Sequence, residues 1–467
     1  MTTSAEPHSA ESPVPAPDAE RLRLRVQALF PQIRADLERL VRIRSVSAPA
    51  FDQATVQASA DAVTDLLRAA GLSDVRQMRA TADGRTGAPA VVGRRPGPEG
   101  APTVLLYAHH DVQPPGDPAE WLSDPFEPTE RDGRLYGRGA ADDKAGVMVH
   151  VAALRALGDE LGVSVVVFVE GEEEIGSPTF EAFLAEYRDL LAADVIVIAD
   201  STNWKVGVPA LTTSLRGLVD GTITVRTLDH AVHSGIYGGP VPDAMLATVR
   251  LLDSFWDANG QVAVAGLVAT EGDDLDYSEA DLRKDAGVLD GVELIGRGSL
   301  TSRMWTGPSL TVVGIDAPSV DTASNTLAPS VRVKFSLRIA PGQDPEAALA
   351  AIRSHVQTHA PFGAEVEVVE GESGRAFSAD VEGPVYRVAR AALHQAWGSA
   401  PVHIGMGGSI PFAAELAATY PQATLLITGV EDPDTRAHGA NESLHLAEFE
   451  RACLAEALFL AGLARPS

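Results

Sequence analysis

The sequence predicts an α/β fold with a smaller α+β domain inserted in it, on three observations: short β-branched apolar runs followed by helical patterns, a changed element order in the middle of the chain, and a return to strand and helix at its end. Thr103 to Tyr107, Val163 to Val169, Asp194 to Ile198 and Thr424 to Ile427 have the length and composition of buried strands. Helical patterns follow three of them, at Lys144 to Leu157, Thr179 to Leu191 and Leu446 to Leu463. Strand followed by helix predicts a mostly parallel sheet covered on both faces.

The middle of the chain follows another rule. Strand (Gly221 to Thr227), helix (Asp243 to Trp256), two strands (Leu310 to Gly314, Val331 to Ile339), helix (Pro345 to His359) and strand (Ala364 to Glu370) give the order β-α-β-β-α-β, the split, ferredoxin-like arrangement. The acidic stretch EGDDLDYSEADLRKDAG interrupts it and is expected to be a loop. The organisation expected is therefore a disordered leader over 1–19, an α/β domain over 20–209, the inserted domain over 210–376 and the rest of the α/β domain over 377–467.

Two domains suit a chain of 467 residues, which is too long for one ordinary core. A formal charge of -27 without a basic stripe argues against nucleic acid. Cys453 is the only cysteine, which excludes an internal disulfide and a cysteine-rich metal site, so any metal must be held by His, Asp and Glu. No apolar run approaches the roughly 18 residues of a membrane span. The Pro-, Ala- and Ser-rich start has neither a basic segment nor an apolar one, so a cytoplasmic protein is expected, its first helix starting near Glu20.

The chemistry lies where the apolar runs end. VLLYAHHD ends in His109 and Asp111, VVVFVEGEEE in Glu172 to Glu174 and VIVIAD in Asp200, while TLLIT leads by a loop to His438. In open α/β sheets the carboxyl ends of strands face a common crevice, which points these residues toward one place. Strand parity puts His109 and Asp111 on one face and turns His110 away. His109 is then a ligand, Asp111 the carboxylate behind it on the other ring nitrogen, and His110 a packing residue. In GRGAADDKAG, Asp142 is the candidate bridging carboxylate, although Asp142 or Asp143 could instead cap the helix that follows. The four carboxylates of EGEEEIGS repel one another beyond a buried strand and ask for a cation, the alternative being a solvated turn. Asp200 could be a turn residue, and His438 a loop histidine without a task. Two histidines and three carboxylates form the ligand set of a carboxylate-bridged metal pair, with one glutamate left for proton transfer.

AHHDVQP, GRGAADDKAG, EGEEEIGS, AD before a loop, HSGIYGG, GGSIP and AHGANE, in this order, resemble the co-catalytic zinc peptidases that include carboxypeptidase G and acetylornithine deacetylase, and most of all the carnosinase-type cytosolic dipeptidases. The resemblance runs from about residue 20 to the end. It implies two Zn²⁺ per subunit, with Co²⁺ or Mn²⁺ as substitutes: His109 and His438 on one metal each, Asp142 bridging, Glu174 beside one histidine and Asp200 beside the other. It makes Glu173 the general base and gives Asp111 the orienting role. It further implies that the inserted domain is a lid through which a homodimer forms, with His233 of HSGIYGG reaching the partner's site. Arg338 in KFSLRIAP resembles the arginine that receives the substrate's carboxylate, and Gly408 and Ser409 in MGGSIP add donors from a glycine-rich turn.

Two positions depart from that pattern. His110 stands where the family has an apolar or aromatic residue, and Asp243 where an asparagine is common. Neither is among the implied ligands. The activity implied is hydrolysis of the amide bond of dipeptides or other small peptides, with an N-acyl amino acid deacylase as the nearest alternative and an inactive metal-binding scaffold as a remote one.

Overall fold

A computed structural model describes residues 15–272, 275–408 and 411–464. The chain forms two compact units, one comprising residues up to Thr213, Ala379–Ile404 and the chain from Glu415 on, the other Ser214–Ser378 and Gly405–Ala414. The short segment Gly405–Ala414, expected within the α/β domain, thus groups with the second unit.

The first unit begins with α1 (Ala16–Val41), α2 (Ala54–Ala69), β1 (Ser73–Met78), β2 (Ala90–Arg95), β3 (Thr103–His109), α3 (Lys144–Leu157), β4 (Ser164–Glu170), α4 (Phe180–Leu191), β5 (Val195–Ile198) and β6 (Ala210–Leu215), the strand that leads into the second unit. The second unit holds β7 (Gly217–Arg226), α5 (Ala244–Asp253), α6 (Glu279–Ala286), β8 (Ser309–Asp316), β9 (Ser330–Ile339), α7 (Pro345–Thr358) and β10 (Glu365–Gly374). The first unit is completed by α8 (Pro384–Trp397), β11 (Thr424–Ile427) and α9 (Leu446–Leu463). Helix α1 starts at Ala16, with Pro17 in its opening turn where a missing N–H costs nothing, rather than near Glu20. Residues 1–14 of the expected leader lie outside the described residues.

In the first unit the strands follow the order β1-β2-β4-β3-β5-β11-β6. The central pairs β4/β3, β3/β5 and β5/β11 are parallel, and the marginal pairs are antiparallel. Parallel register aligns the strand ends that matter: His109 lies opposite Glu170, Tyr107 opposite Ile198, and Ile198 opposite Ile427. Asp194 precedes β5 instead of opening it, because its carboxylate accepts the N–H of Thr103 at 2.8 Å. Helices α1, α3 and α9 pack together around a core that includes Leu37, Leu40, Val147, Val151, Phe449 and Leu458. Each such side chain contributes about 1.5–3 kcal/mol by leaving water. Among the described residues no helix is long and apolar enough to cross a membrane.

The second unit has an antiparallel sheet of order β8-β9-β7-β10, the split arrangement its element order predicts. Alternate residues of the central strands, Val219, Ile223 and Val225 on β7 and Phe335, Leu337 and Ile339 on β9, form its core with Leu251 of α5 and Leu349, Ile352 and Val356 of α7. The acidic insertion is not wholly a loop. Ser278 caps α6 by accepting the N–H of Asp281 at 3.1 Å, and Gly287 ends the helix in the left-handed region.

Candidate metal centre

Strand β3 delivers His109 at its last residue, buried completely. Its ring is held from both sides. Nδ1 lies 3.1 Å from the Asp111 carbonyl oxygen and 3.4 Å from the Asp111 carboxylate, while Nε2 lies 3.1 Å from Oδ1 of Asp142. Asp111 has a second task that sequence parity does not reveal: its carboxylate accepts the backbone N–H groups of Glu173 and Glu174, at 3.2 and 3.1 Å. It therefore ties the histidine to the turn after β4. His110, facing the other way, places Nε2 2.8 Å from the Pro89 carbonyl, and burial pushes its pKa down to about 4.

The adjacent aspartates divide the work that the sequence left open between them. Asp143 caps α3, accepting the N–H of Gly146 at 3.2 Å and that of His109 at 3.1 Å. Asp142 instead turns one oxygen to each histidine: Oδ1 is 3.1 Å from His109 Nε2 and Oδ2 is 3.0 Å from His438 Nε2. Asp143 also brings an oxygen within 4.8 Å of His109 and Asp200 ligand atoms. Both of its oxygens are already taken by backbone donors, so Asp142 is the better placed of the two to bind a cation. The glycines of this loop serve protein packing: Gly139 has φ +79°, and a Cβ there would meet Val112 Cγ1 at 2.5 Å. Lys144 is buried and closes the end of α1, donating to Leu40 and Ile43 carbonyls at 2.9 and 2.8 Å.

Only part of the acidic EGEEEIGS loop faces this place. Glu170 ends β4 and accepts the Tyr107 hydroxyl at 2.7 Å, and Glu172 accepts the N–H groups of Ala88 and Thr179. Two of the four clustered carboxylates are thus met by internal hydrogen bonds. Glu174 is fixed by Gln113, whose backbone N–H donates to Oε1 at 3.0 Å, and its Oε2 is 3.1 Å from His438 Nε2. Glu173 Oε2 and Asp200 Oδ2 lie 4.0 and 3.9 Å from His109 Nε2. His438 stands in the left-handed region at φ +63°, with its side chain 59% exposed. That backbone region costs a non-glycine residue about 1–3 kcal/mol, and the bond from Arg138 to the His438 carbonyl at 3.0 Å helps to hold it.

Arg138, Gln113 and Glu442 were not singled out by sequence reasoning, although all three lie within the quoted motifs. Arg138 and Glu442 are 304 residues apart, and no local pattern couples them.

His109, Asp142, Glu173, Glu174, Asp200 and His438 therefore converge in the first unit. Among the described residues, the cationic groups paired with these carboxylates are the two imidazoles. Burial, reinforced by neighbouring carboxylates, pushes Asp200 up to about 7 and drives Glu173 well above and Glu174 above the usual range. Hydrogen bonds to Asp142 and Glu174 push His438 up to about 11. Burial lowers His109, but Asp111 and Asp142 outweigh it and carry its pKa well above the ordinary value. Burial raises Asp142 as well, but its hydrogen bonds with His109 and His438 outweigh this and hold its carboxyl well below the usual range, and oxygen and nitrogen donors in this number suit divalent cations.

The second unit holds the other residues singled out in the sequence. His233 is exposed and its Nδ1 accepts the N–H of Gly235 at 3.0 Å. Asp243 caps α5 through the N–H of Leu246 at 2.7 Å, a bond an asparagine oxygen would also accept. Arg338 is half-buried on β9, opposite Leu218 of β7. A Cβ at Gly408 would meet open space, and Ser409 lies outside the described residues.

A parallel sheet whose strand ends gather two imidazoles and four carboxylates is the frame of a metallohydrolase. The chain belongs to the peptidase family M20/M25/M40, whose model matches residues 105–461. It is 40% identical to a cysteinylglycine-S-conjugate dipeptidase of Corynebacterium striatum, over 77% of this chain and 81% of that protein. It is 31% identical to the Beta-Ala-His dipeptidase of Rattus norvegicus, over 74% and 73%. Among solved structures, the dipeptidase Dug1p of Saccharomyces cerevisiae shares the fold with a TM-score of 0.74 at 23% identity, covering 96% of this chain and 98% of that one. Human carnosine dipeptidase 1 does so with a TM-score of 0.74 at 24% identity and the same coverage.

Proposed function

We propose that this protein hydrolyses the peptide bond of dipeptides with a pair of divalent cations, Zn²⁺ in the first place and Co²⁺ or Mn²⁺ as substitutes. The observation that carries the reading is Asp142, which offers one carboxylate oxygen to His109 and the other to His438. In this assignment His109 and Asp200 would hold one cation, His438 and Glu174 the other, and Asp142 would be shared by both. The dipeptidase names of the relatives favour a dipeptide over an N-acyl amino acid.

Bound cations supply Lewis acidity and bring the pKa of coordinated water to about 7. The chain's own residues perform the rest. Glu173 takes the proton of the attacking water and returns it to the leaving amine. Asp111 keeps His109 oriented and holds Glu173 by its backbone. Arg338, with Gly408 and Ser409, receives the substrate's carboxylate.

The second unit is assigned the lid and dimer roles, with His233 supplied to a partner's active site. Edge strand β8 exposes Val313 and Ile315, at 55% and 47%, and α5 exposes Leu246 and Val249, at 48% and 56%. An unpaired edge carrying apolar side chains suits a second copy of itself. We place the protein in the cytoplasm, in line with its single buried cysteine.

The test is a substrate panel after reconstitution with Zn²⁺, Co²⁺ or Mn²⁺: S-conjugated and free Cys-Gly, β-Ala-His, and N-acetyl and N-succinyl amino acids. Dipeptide turnover that a chelator abolishes and metal restores is expected. Faster cleavage of the acyl amino acids would replace the reading with a deacylase.

A further inference from the structure

The layer between the parallel sheet of the first unit and its helices α8 and α9 is not filled. Val197 of β5 and Leu426 of β11 form the floor of a cavity, and Ala389 and Ala392 of α8 with Ala452 and Ala455 of α9 form its roof. Alanines on both helices leave room that larger side chains would take. About 40 Å³ is open to the centre of a water-sized sphere, several times the roughly 10–15 Å³ of the sphere itself. A compact ring of benzene's size fits such a space.

One wall is charged. Glu456 of α9 lines the cavity with its side chain 4% exposed, and among the described residues its carboxylate has a single partner, Nδ1 of His150, 2.9 Å from both oxygens. Nε2 of the same ring lies 3.0 Å from the Tyr107 carbonyl, which only accepts, so Nε2 carries a proton. Burial lowers the pKa of His150, but the charge and hydrogen bond of Glu456 outweigh it and raise it. The pair is neutral overall whichever member holds the shared proton. A carboxylate offers about four acceptor positions, and one donor leaves most of them unmet. The other polar side chains of the wall are engaged elsewhere. Asn203 accepts the N–H of Ala210 at 3.1 Å, Thr428 donates to the Ile198 carbonyl at 3.5 Å, and the Trp397 indole donates to Glu448 at 2.7 Å.

An apolar chamber with one acceptor to spare, in a pair without net charge, selects an uncharged molecule that has an apolar body and one hydrogen-bond donor. We propose that this cavity binds a small phenol-like molecule, its ring between the alanines and the sheet and its hydroxyl donating to Glu456. A charged ligand would be left unpaired there. Water alone would find too few polar partners, since each buried water needs two to four. Ala199, also in the wall, directly precedes Asp200, so the ligand lies behind the strand end that delivers a residue of the metal centre. The site stands apart from the dipeptidase reading.

The test titrates the full-length, metal-loaded protein by calorimetry with phenol and with toluene, which has the same shape and no donor. One phenol per chain is expected, bound about 3–30-fold more tightly than toluene, the gain of a bond to a charged acceptor less that of a buried methyl. Ala392→Leu puts a larger side chain into the chamber and is expected to abolish saturable phenol binding. Toluene binding as tightly as phenol would overturn the role of Glu456 and with it the proposal. No saturable phenol binding by the wild type, or undiminished binding by the filled variant, would remove the site. If Ala392→Leu does not fold, Ala392→Val and Ala455→Val replace it, each expected to weaken phenol binding, and undiminished binding by both would likewise remove the site.

Discussion

Glu442 and Arg138 form a buried ion pair, Oε2 to Nη1 at 2.6 Å, and the same carboxylate accepts the N–H groups of Gly139, Ala141 and Asp142. Arg138 in turn donates to the carbonyls of His438 and Gly439. The loop that carries Asp142 and the loop that carries His438 are thus held by one pair. Glu442→Ala leaves a buried guanidinium and three amides unmet and is expected to destabilise the protein by about 3–5 kcal/mol. Urea unfolding of the metal-free protein measures it, and a loss under 1 kcal/mol would contradict the pairing.

Removal of single ligands should separate the two cations. Asp142→Asn is expected to lose both, and His109→Ala to lose one, as counted by elemental analysis. Asp111→Ala spares the ligands yet should weaken metal binding about 10–100-fold by freeing the imidazole and the Glu173–Glu174 turn. Unchanged metal affinity would show that the Asp111 carboxylate does not orient the site.

Glu173→Gln preserves shape and should keep the full metal content while lowering kcat by about 10²–10⁴, the usual contribution of a general base. Near-normal turnover with both cations bound would take the proton-transfer role away from Glu173.

A pH effect follows from Glu170. Burial pushes its carboxyl up to about 8 from 4.5, beside the Tyr107 hydroxyl. The folded state therefore binds more protons than the unfolded state between these values. Its contribution to stability is complete below about pH 4.5 and is lost as pH rises through about 8. Glu170→Gln should flatten this part of the stability curve in the metal-free protein. A wild-type curve that instead rises steadily from pH 5 to 8, with the same slope in the variant, would contradict it.

Val313→Lys places a charge on the exposed edge strand and should convert a dimer to a monomer in sedimentation without lowering the melting temperature of the unit. A monomeric wild type would end the proposal that β8 is an interface.

The strands, most helices and the order of the inserted domain were legible in the sequence, because strands buried on both faces read as unbroken apolar runs, half-buried strands alternate with a period of two and helices repeat every 3.6 residues. For the same reason His109 could be told from His110, and the ends of the apolar runs marked where polar side chains collect. Local pattern alone determined that much. What only the tertiary structure decided is the traffic between loops: Asp143 capping α3 while Asp142 faces two histidines, Glu170 and Glu172 turned to internal partners while Glu173 and Glu174 remain beside the histidines, and Glu442 meeting Arg138. Loops have no repeating period, and their hydrogen bonds join residues hundreds of positions apart. Those partners are settled by which strand ends the sheet brings together.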